Sequence, residues 1–480
     1  MIRSALTIIF FIATALTILA QPVTDSARAH LQRGIALERE KKLDEAATEY
    51  RAALERAPKL AEAHDRLGYV LGLQGRTADA IAEFEKAVAL QPALFDARYH
   101  LGATLWWTKQ LDRARTELEQ AVKLRPSHAE ARYYLGVTKR QQSDAAGAVA
   151  DLRIAVRLNP RLITAHTQLG VALQQLGDAD DAIEQFRAAL ALDPSAADAA
   201  NSLGLALMQK GDADGAIRAL QALVASRPDF SDARLNLGIA LMQGGKLDQA
   251  ITELRELTRR DPTNAEGFYD LGLALKQQDR FDEAAIALRM AMQLDPALPE
   301  APFTLGVVLW QTGQADEAVP LFKDAIARRQ DYAEAHYMLA TIYRQQDNAD
   351  AALNELRETI RINPRSAEAH TTLAQVLRAK GDASGAAAAT AEAERLNKEK
   401  ADAQAAVFAV NAGLEHLKRQ EVGRAIEKFR EATRLAPDNA QAHFQLALAL
   451  RRTGNDSEAR AEFAAARQLA PYLRVPSVKP

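Results

Sequence analysis

The chain is expected to fold as an all-α solenoid of about 13 helix-turn-helix units, and three regularities predict it. Eleven of its 17 prolines stand in one column: Pro58, Pro92, Pro126, Pro160, Pro194, Pro228, Pro262, Pro296, Pro364, Pro437 and Pro471. Nine of the ten steps between them are 34 residues or its double; the exception, from Pro364 to Pro437, carries five residues too many. A Leu-Gly pair recurs in each repeat from Leu67-Gly68 to Leu305-Gly306, then drifts to Leu339-Ala340 and Leu373-Ala374. Twelve residues after this Gly/Ala slot stands an alanine in every repeat, from Ala46 to Ala459. A period of this length marks helix pairs that stack because none can bury its apolar face alone.

Each unit can be read in order. A Gly or Ala in the first helix and an Ala in the second allow close backbone approach, where larger groups would overpack at a cost of roughly 1–3 kcal/mol. Four residues beyond that alanine lies a bulky apolar slot, as in Tyr50, Phe84, Leu118, Phe186, Phe322 and Phe463, with Thr390 as the departure. Three residues further, Ala53, Ala87, Ala121 and their equivalents complete an i, i+4, i+7 helical stripe. The proline then closes the second helix, because it lacks an N–H and biases its predecessor away from helix.

With position 1 at Ala27, these columns resemble the tetratricopeptide repeat (TPR) family: a small residue at position 8, Ala at 20, an aromatic at 24, Ala at 27 and Pro at 32. The resemblance covers 27–400 as repeats 1–11 and 406–473 as repeats 12–13, and it implies a right-handed α-solenoid. The array also looks like the repeat region of O-linked N-acetylglucosamine transferases without the catalytic domain. That family's asparagine ladder at position 6 is missing, so its ligand recognition does not carry over. The aromatic at position 4 is replaced here by His, Arg, Ala, Pro or Phe.

Composition narrows the function. The formal net charge is −3 with acids and bases interspersed, which offers no basic field for nucleic acid. Cysteine is absent, which excludes disulfides, a cysteine nucleophile and lipidation at cysteine. At the start, Arg3 precedes a charge-free apolar run from Ala5 to Ala20, read as a signal peptide over 1–20. Ile18 departs from the small residue expected near a cleavage site, so an uncleaved anchor in the inner membrane is the alternative. Residues 474–480 form a short tail.

Three irregularities interrupt the pattern. The insertion at 401–405 lies in Ala383–Gln420, which has no proline and carries Lys398 at position 32; one long continuous helix near 383–420 is expected. Repeat nine has Pro299, Pro302 and Pro320, and Gln330 at position 32. The first two fall near a helix start and are tolerable there, whereas Pro320 should disturb the start of the second helix. The last helix offers Glu458, Glu462 and Arg467 as a polar outer face.

No catalytic set emerges: there is no HExxH, GxSxG or Gly-rich phosphate loop, and an enzyme is not expected, nor a metal or cofactor. His30, His64, His166, His336, His370 and His443 all occupy position 4, which spreads them along the array instead of converging them on a metal. His100, His128 and His416 are scattered. Glycines such as Gly75, Gly177, Gly211 and Gly381 fall in turns, and Asp178, Asp212 and Asp382 after them read as N-caps of second helices.

The resemblance places the concave groove on the first helices, at positions 2, 5, 9, 12 and 13. Position 13 carries Gln141, Gln175, Gln209, Gln243, Gln277, Gln311 and Gln345 in seven successive repeats. Such amides can bind a peptide backbone or sugar hydroxyls; duplication of a good helix former explains the column equally. Aromatics gather at groove positions in two sets: Tyr69, Tyr99, Trp106, Trp107 and Tyr133 in repeats two to four, and Tyr269, Phe303, Trp310 and Tyr337 in repeats eight to ten. Large aromatics are enriched at binding hot spots, but packing between repeats could bury them. The Lys and Asn of the carboxylate clamp of chaperone-binding TPR domains are not repeated here. The leading expectation is an exported, periplasmic or secreted noncatalytic scaffold holding a protein partner, as an extended peptide or helix. The alternatives are a carbohydrate-binding scaffold in polysaccharide export and a noncatalytic subunit of an enzyme complex.

Overall fold

In the computed structural model, residues 25–470 are described, and among them the chain forms 25 helices and no strand. The expected signal segment and C-terminal tail lie outside the described residues. The helices, α1 (25–39) to α25 (Asp456–Leu469), alternate as first and second members of each repeat. Their registers repeat with the sequence: α3 (Ala61–Leu73), α5 (Phe95–Trp107), α7 (Ala129–Gln141) and α9 (Ile163–Gln175) are first helices, each followed by a second helix of 14 residues.

The column chemistry appears as contact. The position-24 side chains Tyr50, Phe84, Phe186, Phe322 and Phe429 are among the largest fully buried groups. Each packs over the small residue at position 8, so a Cβ at Gly170 would stand 2.5 Å from the Phe186 ring. The alanines at positions 20 and 27 are almost entirely shielded from solvent. The turn inside each repeat needs a left-handed residue at position 15. Glycine fills it at Gly75, Gly177, Gly211, Gly245, Gly313, Gly381 and Gly454, and Lys41, Lys109, Ser143, Asp279, Asp347 and Gln420 accept the same positive φ.

Where position 4 is His or Arg, it braces its repeat from inside. His64 Nδ1 lies 2.6 Å from Glu83 and its Nε2 3.0 Å from the Pro58 carbonyl, so one ring ties the preceding loop to the second helix. His166 does the same with Gln185 and Pro160, and His443 with Glu462 and Pro437. Arginine substitutes through its fork: Arg98 donates to the Pro92 carbonyl and Glu117, Arg132 to Pro126 and Asp151. His30 with Glu49 and His336 with Glu355 repeat the second-helix bond at 2.6 Å. Five of the six position-4 histidines thus bond the second helix, whereas His370 meets only the Pro364 carbonyl at 3.2 Å, opposite Ala389 at position 23. Where position 4 is Ala200, Phe268 or Pro302, position 23 is correspondingly apolar: Ala219, Ala287 or Leu321.

The irregular places resolve in different ways. Pro299 caps α17 (Glu300–Gln311) with near-helical backbone, and Pro302 sits inside its first turn. Pro320 leaves α18 (Ala315–Arg328) unbroken and starting in the regular register, contrary to expectation. It lies on the exposed face, as does Asp316 one turn earlier, whose carbonyl its missing N–H leaves open to water. Although Gln330 replaces the usual proline, α18 still ends on time. The Arg329 guanidinium stacks 3.5 Å from the Tyr332 ring centroid, and Tyr332 packs 4.8 Å from Phe303, which fixes the loop without proline. At the insertion, a single helix, α22 (Ala383–Lys418), runs for 36 residues and serves as second helix of repeat 11 and first helix of repeat 12. Of the expected N-caps, Asp212 and Asp382 accept from the N–H of Gly215 and Gly385, but Asp178 makes no side-chain cap. Asp181 stands where the others have glycine, and brings a side chain and a second negative charge to the spot. Asp144, which precedes Gly147 by the same spacing, caps as well.

The described residues divide into two compact units, one up to Thr263 and one from Asn264. Within each unit consecutive first helices touch one another, for example α3 with α5 and α5 with α7, whereas second helices meet mainly the first helices on either side. First helices thus form the inner wall of each unit.

Candidate partner-binding wall

The inner wall is joined by side-chain rungs, 35 residues apart, from one first helix to the next. The lower rung runs from position 5 to position 6: Asp65 to His100 at 2.8 Å, Asn201 to Asn236 at 2.9 Å, and Tyr337 to Thr372 at 3.2 Å. The upper rung runs from position 12 to position 13: Gln174 donates to Gln209 at 3.2 Å, and the Trp310 indole donates to Gln345 at 3.4 Å. Two members of the glutamine ladder are therefore tied to their neighbours. Gln175, Gln243, Gln277 and Gln311 are also exposed, while Gln141 is half-buried.

The two aromatic sets differ. In repeats two to four the rings meet: Tyr69 packs 5.2 Å from His100, Tyr99 6.0 Å from Tyr134, Trp106 5.3 Å from Tyr134, and Tyr133 5.1 Å from Tyr134. Trp107 stands outermost, 74% exposed, and 6.2 Å from Trp106. Tyr69, Tyr99, His100, Trp106, Trp107 and Tyr134 surround a cavity of about 570 Å³ lined also by Leu73, Phe84 and Thr104, while Tyr133 stands behind Tyr134 outside its lining. In repeats eight to ten the rings are separated into polar contacts. Tyr269 bonds Thr304, and Trp310 and Tyr337 form the rungs just described; only Phe303 joins other rings, those of Phe322 and Tyr332. All the tyrosines of the two sets are half-buried.

Burial controls the electrostatics of this wall. It raises the phenols of Tyr99, Tyr133 and Tyr134 above the ordinary value, so these rings remain neutral donors. It also pushes the Asp270 carboxyl up to about 6, with Glu266 adding to the rise. Tyr134 and His100, both at position 6, were not singled out as groove residues from the sequence; their signal is that position 6 meets position 5 of the preceding repeat. His100 has its partner in Asp65, and His128 caps α7 by accepting from the Ala131 N–H at 3.2 Å.

Among the described residues no group of three or more His, Cys, Asp or Glu side chains could hold a metal ion, and no helix is long and apolar enough to cross a membrane. Two tetratricopeptide repeat models match the chain, one over residues 13–61, 167–229, 204–265, 235–299 and 410–473, the other over 73–136, 275–342 and 309–376. The chain belongs to the tetratricopeptide repeat family, and its repeats make it a protein-interaction scaffold. No curated protein matches it. Among solved structures it is similar to YrrB, a TPR protein with an unusual peptide-binding site, at 25% identity over 38% of this chain and 95% of that one, with a TM-score of 0.36. It is similar to MamA at 28% identity over 35% and 97% with a TM-score of 0.33, and to PilF of Pseudomonas aeruginosa at 21% over 44% and 97% with a TM-score of 0.40.

Proposed function

We propose that this protein is an exported, noncatalytic scaffold that holds a protein partner as an extended segment along the first-helix wall. The observation that carries the reading is the wall itself. It presents exposed amides at position 13 above half-buried aromatics at positions 5 and 9, a surface able to satisfy a peptide backbone while gripping its side chains. Export is supported by the apolar run Ala5–Ala20 behind Arg3, with retention by that segment at the inner membrane as the variant. A photo-crosslinking amino acid placed at Gln243 in intact cells tests the wall, with the same probe at exposed Ile286 on a second helix as control. Crosslinks to one discrete protein from Gln243 and none from Ile286 are expected; equal labelling from both would remove the wall as the binding face. Fractionation tests export, and recovery of the chain in the cytoplasm would end that part of the reading.

A further inference from the structure

We infer that the cavity of repeats two to four is the anchor pocket of this wall and takes one bulky aromatic or branched aliphatic side chain of a peptide partner. The inference rests on the peptide-holding reading above.

Two independent observations converge on these repeats. The first is the pocket. Its rings are tilted against one another, Tyr99 to Tyr134 by 59° and Trp106 to Tyr134 by 66°, so they enclose a guest on several sides. A flat sugar platform would need ring faces open to solvent, and Trp107 is the one ring here with high exposure. At the pocket edge the Lys109 ammonium lies 5.7 Å from the Trp106 ring centroid, which disfavours a cationic guest and favours a neutral one with carbonyl oxygens nearby. Buried Asp65 can only accept, so His100 Nδ1 must donate to it, which leaves Nε2 as the polar contact His100 can offer a guest.

The second observation is a set of unanswered polar atoms. The described residues include five buried side-chain nitrogens or oxygens with no hydrogen-bond partner within the protein: Arg66 Nε, Trp106 Nε1, Arg140 Nε, Gln141 Oε1 and Gln168 Oε1. All five belong to first helices of repeats two to five, at positions 6, 12 and 13, the positions that form rungs elsewhere. Leaving such an atom unpaired is costly, because it has given up water without gaining a partner. Three are donors and two are acceptors, the mixture an extended backbone presents. Of the five, Trp106 Nε1 belongs to the pocket lining, where side-chain rotation, a common adjustment at interfaces, would offer it to a carbonyl of the guest; the other four lie on the same wall around it.

The test is selection from a random 12-residue peptide library against the full chain, followed by affinity measurement of the enriched peptides. Enrichment of one bulky apolar residue is expected, with its replacement by alanine and the protein change Trp107→Ala each weakening binding about tenfold or more. Leu73→Asp, which sets a charge on an exposed rim residue, should do the same. Phe408→Ala, at an equally exposed ring on α22, should change affinity less than about twofold. If peptides are enriched yet bind Trp107→Ala and Leu73→Asp normally, the anchor pocket is refuted while the peptide-holding reading stands. If no peptide is enriched, both fall. Tight binding of a neutral oligosaccharide that Trp107→Ala abolishes would also overturn the peptide assignment.

Discussion

Asp270 and Glu83 show how burial and pairing give single residues opposite pH signatures. Burial raises the Asp270 carboxyl to about 6, so between about pH 4 and 6 the folded chain binds more protons here than the unfolded chain. Its contribution to stability therefore falls as pH rises through that window. Asp270→Asn is expected to raise the unfolding free energy at pH 7 by on the order of 2 kcal/mol and to leave it unchanged at pH 3.5, as measured by denaturant titration. At Glu83, burial would raise the carboxyl, but the Lys86 and His64 hydrogen bonds together hold it below the glutamate range. That contribution is present above the ordinary glutamate value and is lost as pH falls through the lowered one. Glu83→Gln should then cost under about 1 kcal/mol at pH 7 and nothing at pH 3, because Gln185 shows that a neutral acceptor fits the same brace. The braces were present in the sequence as paired columns at positions 4 and 23. They are not legible in the histidine column alone, because each partner stands 19 residues on, in the other helix of the pair.

At the scale of the helix pair, the packing columns and the turns make distinct demands. Gly170→Leu would drive new atoms into the Phe186 ring and should cost roughly 1–3 kcal/mol or more, whereas Ser143→Gly relieves a left-handed backbone at a turn and should gain up to about 1 kcal/mol. Thermal melts of the two variants separate close packing from turn strain. Helix positions, the close-packed columns and the long helix were all readable, because each is set by local spacing. The cap at Asp178 and the unbroken α18 were misjudged for local reasons too: the residue three places on decides the first, and an exposed position near the helix start excuses proline in the second. Which aromatics would meet was not readable. Tyr99 and Tyr134 touch only because neighbouring first helices are set so that position 5 of one faces position 6 of the next.

Across the molecule, the same repeat position changes meaning with its neighbours. Position 3 holds a fully buried alanine in most repeats, including Ala63, Ala97, Ala131, Ala165, Ala335 and Ala369, but in repeat 12 it holds Phe408, 75% exposed. Ala97→Phe should therefore abolish cooperative folding of its region, while Phe408→Ala should shift stability by less than about 0.5 kcal/mol. Equal effects in denaturation would contradict this account. Position 21 follows the same rule. Val149, Ile183, Ile217 and Ile251 seal each repeat against the next, but repeat 11 has exposed Ala387, with Glu394 one position-28 step on, and the last repeat has exposed Arg460 and Arg467. The polar end foreseen at Glu458 and Glu462 is partly spoken for, since these acids bond Arg430 and His443.

The 36-residue helix α22, about 54 Å long at 1.5 Å per residue, has a consequence for how such a chain can change over time. Because repeat 11 already ends in exposed Ala387 and Glu394, repeats 12 and 13 form a cassette joined to it through that one rod. Loss of that cassette would uncover no sealed position-21 seam, whereas cutting between any two of the earlier repeats with sealed position-21 contacts would leave an open wound for aggregation.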